Sequence, residues 1–336
     1  MDKENMHQGL FSIDEARQLI LDGKTLLIAG AEELLAQLPL GDWIGGTSPY
    51  FIAPNHNGMI AHEQLFISDI SKIADSCYIK AYDKNELTSI YNEAGEGGFS
   101  VIIIPATSSV HASFALDAPT YDNFGSQPLI GWIAGAPIDQ LGERRPRVFN
   151  GKKGESYIDH AIIMHVNIVK SKSIDIGHIN IFSQGAGDTL TFLEDGFSFT
   201  HVLVNGVKVN FTDYIVTNDI DIRLPLIADY YGALVNISLQ DVDAKRGVRF
   251  YAPVFTGIKY KWAAPLGNYG ETLSNKIKSI DLESSEIVFS CNCILNYLHS
   301  HLEGNKNEQF TGLISYGEIA YQLLNQTLVY LIVSDI

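Results

Sequence analysis

Apolar residues along the chain fall into short runs divided by polar turns, and their spacing separates strands from helices. Residues 25–29, 77–82, 99–105, 129–134, 287–291 and 328–333 are nearly continuous in apolar character and predict buried strands. Residues 43–46 predict a short strand ending in glycines, and 59–70 predict another strand. Residues 31–37, 84–94, 110–116 and 294–301 predict helices. The first helix carries its own start signal. Ser12 and Glu15 have capping-box spacing, Ala16, Leu19 and Ile20 supply the apolar face, and Gly23 stops it. Strands alternating with helices argue for an α/β organisation.

Beyond Pro128 the pattern shifts toward hairpins. Residues 147–150 run into a polar tip at 151–154, and 156–169 form a long apolar segment. Asn205-Gly206 divides the apolar run 202–209 with two residues that tolerate positive φ. Residues 226–238 and 247–260 continue the antiparallel texture. A short echo links distant parts of the chain. Gly58-Met59-Ile60-Ala61 leads to Ser68-Asp69-Ile70, and Gly317-Glu318-Ile319-Ala320 leads to Ser334-Asp335-Ile336. The expected fold is mixed α/β (α+β): two pseudo-equivalent halves, with mixed, largely antiparallel sheets flanked by helices. A cleft between such halves is a common place for a ligand.

Composition then narrows the function. The 336 residues are 46% hydrophobic and 18% charged, enough apolar material for two cores. Lys and Arg number 23 against 39 Asp and Glu, so the net charge of −16 disfavours nucleic acid and anionic membranes as partners. The first nine residues lack the apolar core of a signal peptide, and no apolar run is long enough to span a bilayer. Three cysteines make no disulfide framework. These features together predict a cytoplasmic protein.

Several stretches, taken in order, resemble the FIST domains. Gly41-Asp42-Trp43-Ile44-Gly45-Gly46-Thr47-Ser48 is similar to an early turn of that family, with Gly46 where the family usually has cysteine. Pro128-Leu129-Ile130-Gly131-Trp132-Ile133-Ala134-Gly135 and Arg147-Val148-Phe149-Asn150-Gly151 resemble its next strand and hairpin. Phe250-Tyr251-Ala252-Pro253-Val254, Val288-Phe289-Ser290-Cys291 and the closing run from Phe310 to Ile319 with Asn325-Gln326-Thr327 resemble its C-terminal part. Two departures stand out. Trp132 replaces the second glycine of a Gly-Gly pair, and Asn292-Cys293 follows Cys291 where the family usually has Gly-Arg. The resemblance implies a helical segment at 1–24, a FIST-N-like domain at 25–200 and a FIST-C-like domain at 201–336. It also implies a bacterial sensory module that binds a small molecule such as an amino acid. One branch of the family resembles haem-binding nitric oxide sensors.

The residues themselves offer a few candidate sites. Gly312 and Gly317 would let backbone approach a ligand, and Glu318 could accept from an amine. Arg144, Arg145 and Arg147 form the main basic cluster, with Arg147 best placed to hold a carboxylate. Cys291 and Cys293 with His299 and His301 are the one metal-like grouping, but its spacing departs from zinc sites. His160 and His165 lie five apart, so on a strand they cannot share a metal, though either could hold a haem iron. Nucleophile-elbow, P-loop and Rossmann signatures are absent, and Gly185-Ala186-Gly187-Asp188 reads as a turn.

The expectation is a non-catalytic sensor with its ligand held by Gly46, Thr47, Trp132, Arg147, Cys291, Tyr316, Gly317 and Glu318. Its output would pass to a separate signalling protein, and it could form a homodimer. No cofactor is expected in this reading. Two alternatives stand beside it: a haem-based sensor using His160 or His165, and a protein-interaction scaffold without a ligand.

Overall fold

The computed structural model describes residues 8–53, 56–95, 97–140, 143–230, 233–280, 285–300 and 310–336. A first unit contains β1 (Gln8–Phe11), α1 (Ile13–Leu21), β2 (Leu26–Gly30), α2 (Glu32–Leu35), β3 (Trp43–Thr47), β4 (Tyr50–Ala53), β5 (His56–Ile60) and β6 (Leu65–Asp69). A second contains β7 (Ala74–Tyr82), α3 (Ile90–Glu93), β8 (Phe99–Pro105), α4 (Ser109–Asp117), β9 (Leu129–Ala134), β10 (Val148–Asn150), β11 (Glu155–Tyr157) and β12 (Ala161–Ile168).

A third unit opens with β13 (Lys172–Asn180) and is then interrupted. The insertion contributes β14 (Leu190–Thr191), β15 (Gly196–Phe199), β16 (His201–Val204), β17 (Val207–Asn210), α5 (Phe211–Thr217), β18 (Leu226–Tyr230), β19 (Ala233–Ile237), β20 (Leu239–Asp243), β21 (Gly247–Val254), β22 (Tyr260–Trp262) and α6 (Tyr269–Lys278). The unit resumes with β23 (Ser285–Cys293), α7 (Ile294–Ser300), β24 (Gly312–Ser315), β25 (Glu318–Ala320), β26 (Gln322–Leu324) and β27 (Thr327–Asp335).

The three units build three sheets with one pairing scheme. Their strand orders are β1-β6-β2-β3-β10-β11, β7-β12-β8-β9-β25-β26 and β13-β27-β23-β24-β4-β5. In each, the first two pairings are antiparallel, the third is parallel and the last two are antiparallel. Each unit also gives its hairpin to a neighbour's sheet. β4–β5 joins the third sheet, β10–β11 the first and β25–β26 the second, which closes a cycle of exchange.

The mixed α/β class expected from the sequence is therefore what the structure shows. The echo between residues 58–70 and 317–336 belongs to this repeat, since Ser68-Asp69 ends β6 and Ser334-Asp335 ends β27. The repetition runs over three units in the pairing pattern, with β7–β12 as the member whose sequence hides it. Residue 200 lies within the insertion, between β15 and β16. Residues 59–70 are two strands in different sheets rather than one strand, because the chain turns at 61–64. Residues 84–94 hold a short 3₁₀ turn and the four-residue α3.

Alternation along the central strands explains their composition. In β2, Leu27 and Ala29 face a core shared by all three sheets, while Leu26 and Ile28 pack outward beneath Ala16 and Ile20 of α1. In β27, Val329, Leu331 and Val333 face the same core, and Leu328 and Tyr330 meet Leu273 and Ile277 of α6. The insertion thus supplies the helix that covers the third sheet. Strands covered on both faces read as unbroken apolar runs. Each large side chain so buried contributes roughly 1.5–3 kcal/mol. Within this core Trp132 stacks on Phe289 with ring centroids 5.5 Å apart, and Phe51 on Phe66 at 5.7 Å.

Candidate functional site

β2 and β3 run parallel, joined through α2, so Gly30 and Thr47 are register partners at the same sheet edge. β9 ends at that edge too. The Gly135 amide donates to the Thr47 carbonyl at 2.8 Å, and the Ser48 amide donates to the Gly30 carbonyl at 3.1 Å. Ligands of parallel sheets commonly sit outside such carboxyl ends. Here the three chain ends surround a cleft of about 170 Å³, walled by Gly30, Thr47, Ser48, His62, Gly135 and Arg145 among others. That is roughly ten times the room one water needs.

Charges around the cleft are unevenly spent. Arg144 Nη1 lies 2.7 Å from Glu33, and Arg147 Nε lies 2.7 Å from Glu32, both acids being in the first turn of α2. Glu33 is held below the usual carboxylate range, mainly by a backbone hydrogen bond and with help from Arg144. Arg147 also donates from Nη1 to Ser156 Oγ, and its amide donates to Thr47 Oγ1 at 3.0 Å. The guanidinium of Arg147 thus holds the chain's own carboxylate and not a ligand's. Arg145 is exposed and, among the described residues, has no protein partner. It lines the cleft and also a second hollow of about 460 Å³ formed by Thr107, Ser108, Ser109 and Asp159.

The other expected residues lie elsewhere. Of the eight, Thr47 alone is on the wall of this cleft. Gly46 and Trp132 are core residues in contact with one another, because a Cβ on Gly46 would stand 3.0 Å from Trp132 Nε1. Tyr316 leans on Gly135 and donates its hydroxyl to the Ala136 carbonyl, so it braces the cleft from behind. Gly317 packs on Leu323 and Ile133, and Gly312 on Ser290, so both glycines serve close packing within the chain.

Glu318 is fully buried, beside Ser315 and the thiols of Cys291 and Cys293. Desolvation pushes its carboxyl up to about 8, against the hydrogen bonds from Thr327 and Ser315 that favour the ionised form. Ser315 Oγ lies 3.1 Å from Glu318 Oε1 and 2.9 Å from the Gly317 carbonyl. The Ser315 hydroxyl donates toward both acceptors, so its one proton is shared between the Glu318 carboxyl and the Gly317 carbonyl. Glu318, Ser315 and Thr327 are bonded to one another deep in the core, as in a structural network.

The histidines follow the same division. His165 is buried, with Nε2 2.8 Å from Tyr82 Oη and Nδ1 2.7 Å from Ser100 Oγ. Both ring nitrogens are engaged, so iron ligation would require one of these bonds to break. Burial pushes its pKa down to about 4. His160 is half-buried and packs at a tilt against Tyr157, with ring centroids 4.9 Å apart. Among the described residues no group of three or more His, Cys, Asp or Glu is placed to hold a metal, and His301 lies outside those residues. No described helix is long and apolar enough to cross a membrane.

Sequence reasoning missed Gly30, Ser48, His62 and Gly135 as neighbours in space. The available signal was positional, since Gly30 follows one buried strand, Thr47-Ser48 ends another and Gly135 follows a third. These features define a three-unit mixed α/β protein with an open cleft where strand ends converge. The chain belongs to DUF6976, a family of unknown function, whose sequence profile matches residues 11–334. No curated protein matches it.

Proposed function

We propose that this protein binds a small anionic metabolite in the cleft at the ends of β2, β3 and β9, and acts as a non-catalytic sensory module. The observation that carries this reading is Arg145. Among the described residues it is the member of its basic cluster without a protein carboxylate, and it lines the cleft. An unpaired guanidinium is suited to bidentate capture of a carboxylate or phosphate. The Thr47 hydroxyl, which accepts from the Arg147 amide and keeps its own proton, supplies a further donor. The sensory part of the reading leans on the resemblance to FIST domains and implies a separate output protein. Its cytoplasmic placement leans on three cysteines that all remain free.

The test is a thermal-shift series with inorganic phosphate, citrate and glutamate on the wild type and Arg145→Ala. A ligand at a hundred times its Kd stabilises by about 2.7 kcal/mol. At least one anion is expected to raise the midpoint saturably in the wild type and not in the variant. Equal shifts in both proteins, or none in either, would refute the assignment.

A further inference from the structure

A second cavity, remote in sequence from the cleft, has a different chemistry. It measures about 770 Å³ and lies where three parts of the chain meet. Leu116, Pro119 and Phe124 come from the second unit, Tyr321 and Gln322 from the hairpin of the third, and Tyr230, Phe255 and Ile258 from the insertion. Phe124 and Tyr321 meet edge to face, with centroids 6.5 Å apart and planes at 67°, and so form an aromatic corner. Phe124 is only partly covered by protein. Tyr321 has φ +63°, a left-handed conformation that costs a bulky residue of order 1–3 kcal/mol and is retained where surrounding structure imposes it.

Among the described residues one charged side chain lines this cavity, and it is an acid. Asp195 Oδ1 accepts from both the amide and the hydroxyl of Thr256, at 2.7 and 2.9 Å. That fixes the carboxylate and leaves Oδ2 without a protein partner among the described residues. Among the described residues no lysine, arginine or histidine is on the wall. Aromatic faces attract cations through their quadrupoles, and quaternary ammonium groups are held by such rings. The protein's net charge of −16 acts in the same direction.

We propose that this cavity is a binding site for a small organic cation with an apolar body, such as a quaternary ammonium or arylalkyl amine. The aromatic corner of Phe124 and Tyr321 takes the apolar part, and Asp195 pairs with the charge. The site is independent of the anion cleft, so either assignment can fail alone.

Calorimetric titration with benzyltrimethylammonium tests it, with benzenesulfonate and neutral benzyl alcohol as controls. Saturable binding of the cation alone is expected, weakened about two- to fivefold in Asp195→Asn, as expected for loss of one exposed charge pair. Asparagine keeps an oxygen for Thr256, and an unchanged melting midpoint would show that the variant is folded. Phe124→Ala, at a partly exposed position, should weaken binding without unfolding the protein. Binding of the anion as strong as that of the cation, an unchanged affinity in Asp195→Asn, or no binding of the cation to the wild type would each overturn the proposal.

Discussion

Glu318 Oε2 accepts hydrogen bonds from the amide of Thr327 at 3.2 Å and from its hydroxyl at 2.8 Å, with both residues closed off from solvent. The first residue of β25, in the second sheet, is thereby fastened to the first residue of β27, in the third. This contact anchors the exchanged hairpin. It also makes stability depend on pH. The folded protein keeps a proton on Glu318 up to about pH 8, whereas an unfolded carboxyl loses it near 4.5. The raised value means that the contribution is fully present below the unfolded pKa and is lost as pH rises toward 8. Glu318→Gln, which cannot ionise, should therefore lose less stability than the wild type between pH 5 and 8. Urea midpoints measured across that range check it, and parallel curves for the two proteins would show that the carboxyl is already ionised at pH 5.

His165 gives the opposite slope at lower pH. Its folded pKa is depressed to about 4 by burial, below the ordinary histidine value of about 6.5. Its contribution is present above the unfolded value and lost as pH falls through the folded one. The wild type should weaken between pH 6.5 and 4, and His165→Gln should start less stable but show a shallower decline. Chemical denaturation at intervals over this range separates the two curves.

Gly46 has little room for a side chain. An added Cβ would stand 2.6 Å from Ile103 Cγ2 and 3.3 Å from Ala134 Cβ, both in the buried core. Gly46→Ala is expected to cost about 1–3 kcal/mol through overpacking. Gly46→Cys, which adds a sulfur as well as the Cβ, should cost more. Denaturant unfolding measures both, and a loss under about 0.5 kcal/mol would mean that the strands part easily there.

Tyr316 braces the cleft proposed for an anion through its hydroxyl bond to Ala136 and its ring contact with Gly135. Tyr316→Phe keeps the ring and loses the bond, at a net cost of about 1 kcal/mol. The expected outcome is a small fall in the melting midpoint with a larger proportional loss of anion affinity, because Ala136 is a wall residue. Thermal melts with and without the anion read both effects.

Local structure was legible in the chain wherever local chemistry is sufficient. Ser12 and Glu15 form the capping box their spacing predicts, with the Ser12 amide 2.7 Å from Glu15 Oε2. Asn205 and Gly206 take φ of 49° and 86° at the tip of the β16–β17 hairpin. The continuous apolar runs at Phe99–Pro105 and Leu129–Ala134 are strands buried along their full length. Which strand pairs with which is set by the assembled fold. Every strand offers the same backbone donors and acceptors, so nothing local tells β4 that its partner is β24, contributed by residues 312–315. For the same reason Arg144, Arg145 and Arg147 are alike in sequence. They differ in the folded protein because α2 brings Glu33 and Glu32 to two of them and leaves Arg145 facing the cleft.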